Sequence, residues 1–561
     1  MRQIDRLTVE TYETPSLLLM EAAATACFQG ILSHFKNDLT AKRALLLCGK
    51  GNNGGDGAAL ARCLARNGVH CDVVLFGKLG ETKGDALTNF KSVHQLAGFE
   101  AGSPACPSPL TFLECDSVSA WEQIARPRRT YDVIVDALFG TGLTRPLDGV
   151  YLKVIEHLSM LRTARDRVSG ARPLVVSIDL PSGLDADRAE PIGATVEADL
   201  TVTFTAPKPA NVLPPAAHFC GQLIVADIGS PASLIDAAAP SLFVTEAREA
   251  REWLVSTRYT PESYKNTHGH VLIVAGSRGY TGAAALCGNA AMRAGAGLVT
   301  VSTPASAQVL LVSKAMPEIM TTALAETDRG TVSDEAIDHF LSLSAKASVV
   351  AVGPGLTSED ERTRRFVYAI VERRTTPVVV DADGLNCLAP WPSGLHGSSK
   401  HPLVLTPHAG EMLRLLGASE KSPLKDRVAT ARDFAVAHEL ILVLKGSRTL
   451  VASPDGRVFI NPTGNAGLGT AGAGDTLTGI ISGFMAQAFA TLRERADAFM
   501  TTIAALYISG LAGDLAASEL GMRTMVASDI REHISAAVRF LDHQGETGVP
   551  SGAAQIGWKQ P

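Results

Sequence analysis

Short runs of aliphatic and β-branched residues, each bounded by glycine or proline, recur along most of the chain. "ALLLC", "CDVVLF", "YDVIVDALFG", "LVVSIDL" and "LTVTFTA" lie between Arg43 and about Asp227, with stretches of helical spacing such as "GAALARCLARNG" between them. Runs this apolar, too short for helices, predict parallel strands buried on both faces and joined by crossover helices. The expected class is therefore α/β, with a doubly wound parallel sheet. The pattern restarts at His270 with "HVLIVAGS" and continues through "LVTVST", "SVVAVGPG", "PVVVDADG", "PLVLTPH" and "LILVLKGS" to two hairpin-like strands around "SPDGR". Long helical stretches follow, from Asp475 to about Leu515. A second α/β domain is expected, because 561 residues exceed what one hydrophobic core serves. The expected boundaries are 1–235 and 246–543, with a seam where "DAAAPSL" meets the charged "TEAREAREWL", and an aperiodic loose tail over 544–561.

The net charge of −6 argues against a nucleic-acid surface and against an anionic membrane partner. Nine cysteines without a CxxC pair predict reduced thiols in a cytoplasmic protein. "SLLLMEAAATACFQGIL", interrupted by Glu21 and Gln29, reads as a core helix capped by Ser16 and too short to span a bilayer. Two inserts, the Pro-rich "GSPACPSPL" and the arginine-bearing "RTARDRVSGAR", read as solvated connections. Alanine- and glycine-rich helices make a homo-oligomer the expected assembly.

"CGKGNNGGDG", Cys48 to Gly57, follows the first strand and opens a helix. Gly49, Gly51 and Gly54 satisfy the dinucleotide pattern GxGxxG, yet the next strand ends at Lys78 instead of the ribose-holding acid. A tight turn needed only for packing is one reading. Asn52, Asn53 and the added glycine pair favour a backbone cradle for phosphates. Asp136 and Asp179 also close strands, and ligands of open α/β sheets bind along that edge. Ser182 lies three positions past Asp179, so Asn53, Asp136 and Ser182 offer an all-oxygen set suited to a hard cation.

In order and spacing, "GNNGGDG", "DALFGTG", "SIDLPSG" and "FTAPKP" resemble the YjeF N-terminal domain over about residues 1–230. The resemblance implies a Rossmann-like epimerase of hydrated NADH and NADPH. It implies that Asn52, Asn53, Gly54, Gly55 and Asp56 hold the substrate together with the loop Gly140, Thr141, Gly142, Leu143, Thr144, Arg145 and Pro146. Asn53, Asp136 and Ser182 would bind potassium, and Asp179 would act on the reacting hydroxyl with Lys208 as its helper.

The second glycine run, "GNAGLGTAGAGDTLTG", sets Gly472 and Gly474 directly before Asp475 and a helix. Free amides at a helix start form an anion hole, and Asp475 there is placed as a base toward a hydroxyl. This loop resembles that of the ribokinase-like fold. With "GAAALCG", "AGAGLVTV", "VGPGL", "DADGLN", "TPHAGE", "VLKGSRT" and "NPTGNAGL" it resembles the YjeF C-terminal domain, the nucleotide-dependent dehydratase of hydrated NAD(P)H, over about residues 250–540. The resemblance implies a ribokinase-like α/β/α sandwich in which Lys445, Gly446, Ser447, Arg448, Thr449 and Gly474 hold the nucleotide. Ala283, Gly355, His408 and Asp475 would contact the hydrated dinucleotide, and magnesium would accompany ADP, the implied donor; no residue excludes ATP. The chain departs from the family pattern at Ala409 (commonly Pro), at Asn266 (commonly Gly) and at Gly384, expected to loosen its loop. The competing reading is a small-molecule kinase, of a hydroxymethylpyrimidine or hydroxyethylthiazole type, fused to a non-catalytic Rossmann-like binding module.

Overall fold

The computed structural model describes residues 1–99, 109–125, 130–165, 172–544 and 553–556. It divides into two compact units, one of Met1–Pro240 with Pro550–Pro561 and one of Ser241–Val549. Most of both inserts singled out in the sequence lies outside the described residues.

In the first unit the strands are β1 (Arg43–Cys48), β2 (His70–Leu75), β3 (Leu110–Glu114), β4 (Val133–Ala137), β5 (Leu174–Ile178), β6 (Leu200–Phe204) and β7 (Gln222–Ala226). They stand in the order β3-β2-β1-β4-β5-β6-β7, all parallel. That order reverses between β1 and β4, which opens a crevice at their carboxyl ends. Near-continuous Val, Leu and Ile in β1, β2 and β4 bury both faces, as a parallel sheet requires. β3 and β7 were not expected as separate runs; each is a short strand of mixed exposure, β3 at the sheet edge.

Three helices matter most here: α1 (Arg2–Tyr12), α2 (Ser16–His34) and α3 (Asn52–Arg66). Ser16 is the first residue of α2 and not its cap; Pro15 holds that position, with no side-chain cap bond. At 19 residues α2 is long and apolar enough to cross a membrane, so its length does not exclude a span as expected. What it does instead is pack Met20, Ala23, Ala24, Cys27, Phe28 and Ile31 into the core.

The second unit holds β8 (Leu242–Val244), β9 (His270–Val274), β10 (Leu298–Pro304), β11 (Met320–Leu324), β12 (Val349–Val352), β13 (Val378–Val380), β14 (Leu403–Leu405), β15 (Ile441–Leu444), β16 (Leu450–Ala452) and β17 (Val458–Ile460). The order β11-β10-β9-β12-β13-β14-β15 is parallel, reverses between β9 and β12, and continues into an antiparallel β15-β16-β17 meander with β8 alongside β17. The sequence reading missed the edge strands β8 and β11. A last strand, β18 (Ala553–Ile556), pairs antiparallel with β7 of the first unit, so the stretch expected to be a loose tail includes an edge strand.

Helix Ala473–Thr491 lies against helix Thr281–Arg293 through glycines that allow backbone contact. A Cβ on Gly479 would come within 2.1 Å of the Cys287 carbonyl oxygen, and one on Gly483 within 2.7 Å of that of Ala291. Farther along, Phe484 is buried and stacks on Trp253 at 4.1 Å between ring centroids. Phe484→Ala should therefore lower the stability of the second unit by about 3–5 kcal/mol, read from its urea-unfolding transition.

Candidate functional site

In the first unit, Gly51 precedes α3 and the chain turns tightly from β1 into the helix. A Cβ on Gly49 would fall 2.1 Å from the Leu138 carbonyl oxygen, and one on Gly54 would fall 1.8 Å from that of Gly49. Gly55 and Gly57 are likewise crowded, by Ala86 and Ala137, whereas Gly51 faces open space. Packing alone therefore requires four of the loop's glycines, the adjacent pair included, contrary to the expectation that packing has no use for that pair. Asn52 and Gly51 stay exposed, and α3 points its first amides outward at the crevice.

Asp136 and Ser182 are joined directly. The buried Asp136 carboxylate accepts from Ser182 Oγ at 2.6 Å, Ser182 N at 2.8 Å, Ser177 Oγ at 3.0 Å and Leu138 N at 3.3 Å. Burial raises its pKa against the pull of these four donors. Ser182 Oγ also receives the Phe139 amide at 3.0 Å. Nearby, Asn53 Nδ2 is buried without a hydrogen-bond partner. A side-chain amide turned by half a rotation would put an oxygen there, so the unsatisfied position fits an all-oxygen cation site.

Asp179 ends β5 with φ +68, a strained conformation for a residue with a side chain. Its carboxylate accepts from Lys208 Nζ at 2.5 Å and from Thr203 Oγ1 at 3.0 Å. Lys208 Nζ also donates to Thr203 Oγ1 at 2.8 Å and to the Phe204 carbonyl at 3.1 Å, so its three protons are committed. An added Cβ on Gly140 would lie 3.2 Å from both Asn53 Oδ1 and Asp179 Oδ2, which places the Gly140 loop against both residues. Thr144, Arg145 and Pro146 are exposed, and Gly142 with them. Leu143 is not: its side chain is buried among Leu138 and Leu147, so only its backbone can face a ligand. Asp56 has its pKa pushed well up, by burial first and then by Asp179 and Asp5.

In the second unit, Gly355, His408 and Lys445 follow the carboxyl ends of β12, β14 and β15, and Ala283 lies in helix Thr281–Arg293. Gly355 (φ +68) abuts Ala283: a Cβ there would meet the Ala283 methyl at 3.0 Å, and its carbonyl accepts from Ser277 Oγ at 2.8 Å. His408 caps helix Ala409–Leu415, its Nδ1 accepting from Gly410 N at 2.9 Å and Glu411 N at 3.2 Å. That leaves Nε2 to carry the proton on a half-exposed ring, 3.5 Å from Glu411 Oε1.

Lys445 reaches from the end of β15 to Asp381 Oδ1 at 2.6 Å, with Glu411 Oε2 at 3.9 Å. The other Asp381 oxygen accepts from Thr478 Oγ1 at 2.7 Å. A Cβ on Gly474 would lie 3.4 Å from Lys445 Nζ and 3.6 Å from Asp381 Oδ2, so this pair and the glycine-Asp475 helix start share one site. The carboxyl of Asp475 is pushed up to about 6, by burial first and by Asp381 next, with Lys445 opposing. The Gly446–Thr449 loop is held by Arg427, whose guanidinium donates to the Ser447 carbonyl at 2.9 Å, while Arg448 donates to that of Pro462 at 2.6 Å. Asp381, Glu411, Thr478 and Arg427 were not among the expected site residues. Asp381 had a usable signal, a strand-end aspartate like Asp136 and Asp179, and Glu411 stood in "TPHAGE"; Arg427 had none. Gly384 does not loosen its loop: it lies inside helix Asp383–Cys387, where a Cβ would meet the Val352 carbonyl oxygen at 2.8 Å.

Two family models match the chain, a YjeF-related protein N-terminus over residues 16–210 and an NAD(P)H-hydrate dehydratase over residues 271–536. The bifunctional NAD(P)H-hydrate repair enzyme Nnr of Moorella thermoacetica is 40% identical over 98% of this chain and 98% of its own length. This chain belongs to the bifunctional NAD(P)H-hydrate repair family. The Nnr proteins of Thermofilum pendens and Escherichia coli are 35% and 32% identical, over 98% and 91% of this chain and 96% and 87% of their own lengths. The Bacillus subtilis ADP/ATP-dependent NAD(P)H-hydrate dehydratase, co-crystallised with ATP/Mg2+, is 28% identical with a TM-score of 0.44, covering 53% of this chain and 98% of that one.

The raised Asp475 carboxyl makes a stability prediction for this repair-family member. Its folded pKa lies above the ordinary 3.8, so the folded state holds this proton as the unfolded chain loses it. The stabilising difference is complete below about pH 4 and lost as pH rises through about 6. Asp475→Asn should match wild type in melting temperature near pH 4 and exceed it increasingly up to about pH 6, as calorimetry across that range would record.

Proposed function

We propose that the first unit interconverts the R and S hydrates of NADH and NADPH, and that the second removes water from the S hydrate using a nucleotide's terminal phosphoryl group. The observation that carries this reading is Asp475, a partly neutral acid at a helix start beside Gly474 and the Lys445–Asp381 pair. Asp475 takes the proton of the carbinol hydroxyl as its oxygen attacks the terminal phosphorus of ADP, and AMP leaves. The amides at the start of helix Ala473–Thr491 face the charge on the transferring group. The C–O bond then breaks with its electron pair going to phosphate, the ring nitrogen forms an iminium, and loss of the neighbouring ring proton restores the double bond. Hydrate and ADP thus give NAD(P)H, AMP and phosphate, with ATP giving ADP in place of AMP.

Lys445, Gly446, Ser447, Arg448, Thr449 and Gly474 hold the nucleotide in this reading, and Ala283, Gly355, His408 and Asp475 face the hydrate. Among the described residues no three acidic, histidine or cysteine side chains converge on one metal position. Magnesium would accompany the nucleotide and would supply charge neutralisation to its phosphates.

In the first unit the Asn52–Asp56 turn and the Gly140–Pro146 loop enclose the dinucleotide. Asp179, held by Lys208, passes a proton drawn from solvent to the ring hydroxyl, which departs as water with the C–O electron pair while the ring nitrogen forms an iminium; water then adds to the opposite face and its proton returns through Asp179 to solvent. Potassium, held by Asn53, Asp136 and Ser182, would supply positive charge beside this carboxylate. A small-molecule kinase with an idle first half is disfavoured, because the relatives match both halves under one repair activity.

Asp475→Asn should abolish nucleotide-dependent recovery of reduced-nicotinamide absorbance while epimer exchange continues. Asp179→Ala should leave S-hydrate repair intact and strand the R hydrate. Either substitution abolishing both activities in a folded chain refutes this division of labour. In the wild type, nucleotide-dependent turnover should fall as pH drops below about 6, since the base must be ionised.

A further inference from the structure

Helix α1 lies ahead of every motif the sequence reading used, yet its residues reach the exchange site. Arg2 donates from Nη2 to the Thr141 carbonyl at 2.5 Å, inside the loop that faces Asn53 and Asp179. The nearest atom to a Cβ placed on Gly142 would also be Arg2 Nη2, at 3.7 Å. Asp5 stands three residues on, one helical turn along the same face. The helix is fixed independently of these contacts: Ile4 and Thr8 are buried, and the Tyr12 hydroxyl meets that of Ser233 at 2.9 Å.

Asp5 is drawn into the charge system of the site. Its carboxyl is raised by burial first; Lys208 and the Met1 amino group pull it down and Asp179 pushes it up. Asp56 feels Asp5 and Asp179 in turn. Asp5 and Asp179 thus both act on the Lys208 ammonium, whose protons are already committed to Asp179, Thr203 and Phe204. Lys208 has no proton to spare for a substrate.

We propose that α1 is a working part of the exchange site: Arg2 clamps the Gly140–Pro146 loop through the Thr141 carbonyl, and Asp5 is a positioning acid that acts through the Lys208–Asp179 pair. This rests on the epimerase reading of the first unit. The two contributions separate kinetically. The clamp orders the loop that binds substrate, so its loss weakens binding; the acid orients the reacting pair, so its loss slows turnover.

The test is R-to-S exchange by the full chain without nucleotide, followed by chromatographic separation of the two hydrates. Arg2→Ala should raise KM for the R hydrate about five-fold or more with kcat within about two-fold. Asp5→Asn should lower kcat about ten-fold or more with KM within about two-fold, and Asp5→Glu should recover a substantial part of it. A helix that serves only folding would show neither split and no rescue by glutamate. Wild-type chain that exchanges no epimers refutes the epimerase reading itself. Wild-type exchange with Arg2→Ala unchanged in KM, or folded Asp5→Asn unchanged in kcat, overturns the role of α1 alone. Should Asp5→Asn fail to fold, as its thermal unfolding would reveal, the KM of Arg2→Ala decides by the same criterion.

Discussion

Each unit buries one lysine ammonium against an aspartate at the carboxyl end of a parallel strand. Lys208 meets Asp179 at 2.5 Å, and Lys445 meets Asp381 at 2.6 Å. A threonine hydroxyl steadies each carboxylate, Thr203 in the first unit and Thr478 in the second. Charges withdrawn from water in this way are tolerated only with close partners and satisfied hydrogen bonds. The pairs therefore dictate much around them, including how the chain turns as it leaves the strand. Asp179 takes φ +68, and Ala382, next to Asp381, takes φ 49 and ψ −120. Both are conformations a side chain resists, kept because the surroundings over-determine them. They follow β5 and β13, each one strand beyond the point where the order of its sheet reverses.

The glycine-rich loops serve packing and binding through different residues. Gly49, Gly54 and Gly57 bring α3 against the β1 and β4 ends, closer than any Cβ permits. That contact aims the amides of Asn52 and Asn53 at the crevice. Gly479 and Gly483 do the same for helix Ala473–Thr491 by letting it rest on the backbone of helix Thr281–Arg293. Gly474 is less crowded, with Lys445 Nζ and Asp381 Oδ2 the atoms nearest to an added Cβ. Close packing beneath the loop is thus what holds the binding surface above it in place.

Strand cores and glycine turns were legible because burial on both faces and close backbone approach each leave a local signature. β1, β4, β5 and β9 through β15 followed from continuous apolar runs, β11 excepted. The edge strands β3, β8 and β11, and β7 beside the short β18, did not, since partial burial produces no such run. Asp136, Asp179 and Ser182 could be placed on one edge from strand ends alone. The engagement of Lys208 by three acceptors, the partnership of Lys445 with Asp381, and the reach of Arg2 to Thr141 depend on side chains meeting across long separations. No spacing rule records those meetings. His408 adds a role its motif does not announce: its Nδ1 caps a helix.

The choice of partner for Lys445 also explains how Asp475 stays available. Both acids lie near the ammonium, but the short bond goes to Asp381, which is 1% exposed and also accepts from Thr478. Asp475 receives only the longer-range pull of that charge, opposed by burial and by Asp381, and settles at about 6. Had Lys445 bonded Asp475 instead, the carboxylate would be ionised well below neutrality and a weak base. Neutralising the structural aspartate first leaves the second one destabilised, and a carboxylate in that condition near neutral pH can accept a hydroxyl proton.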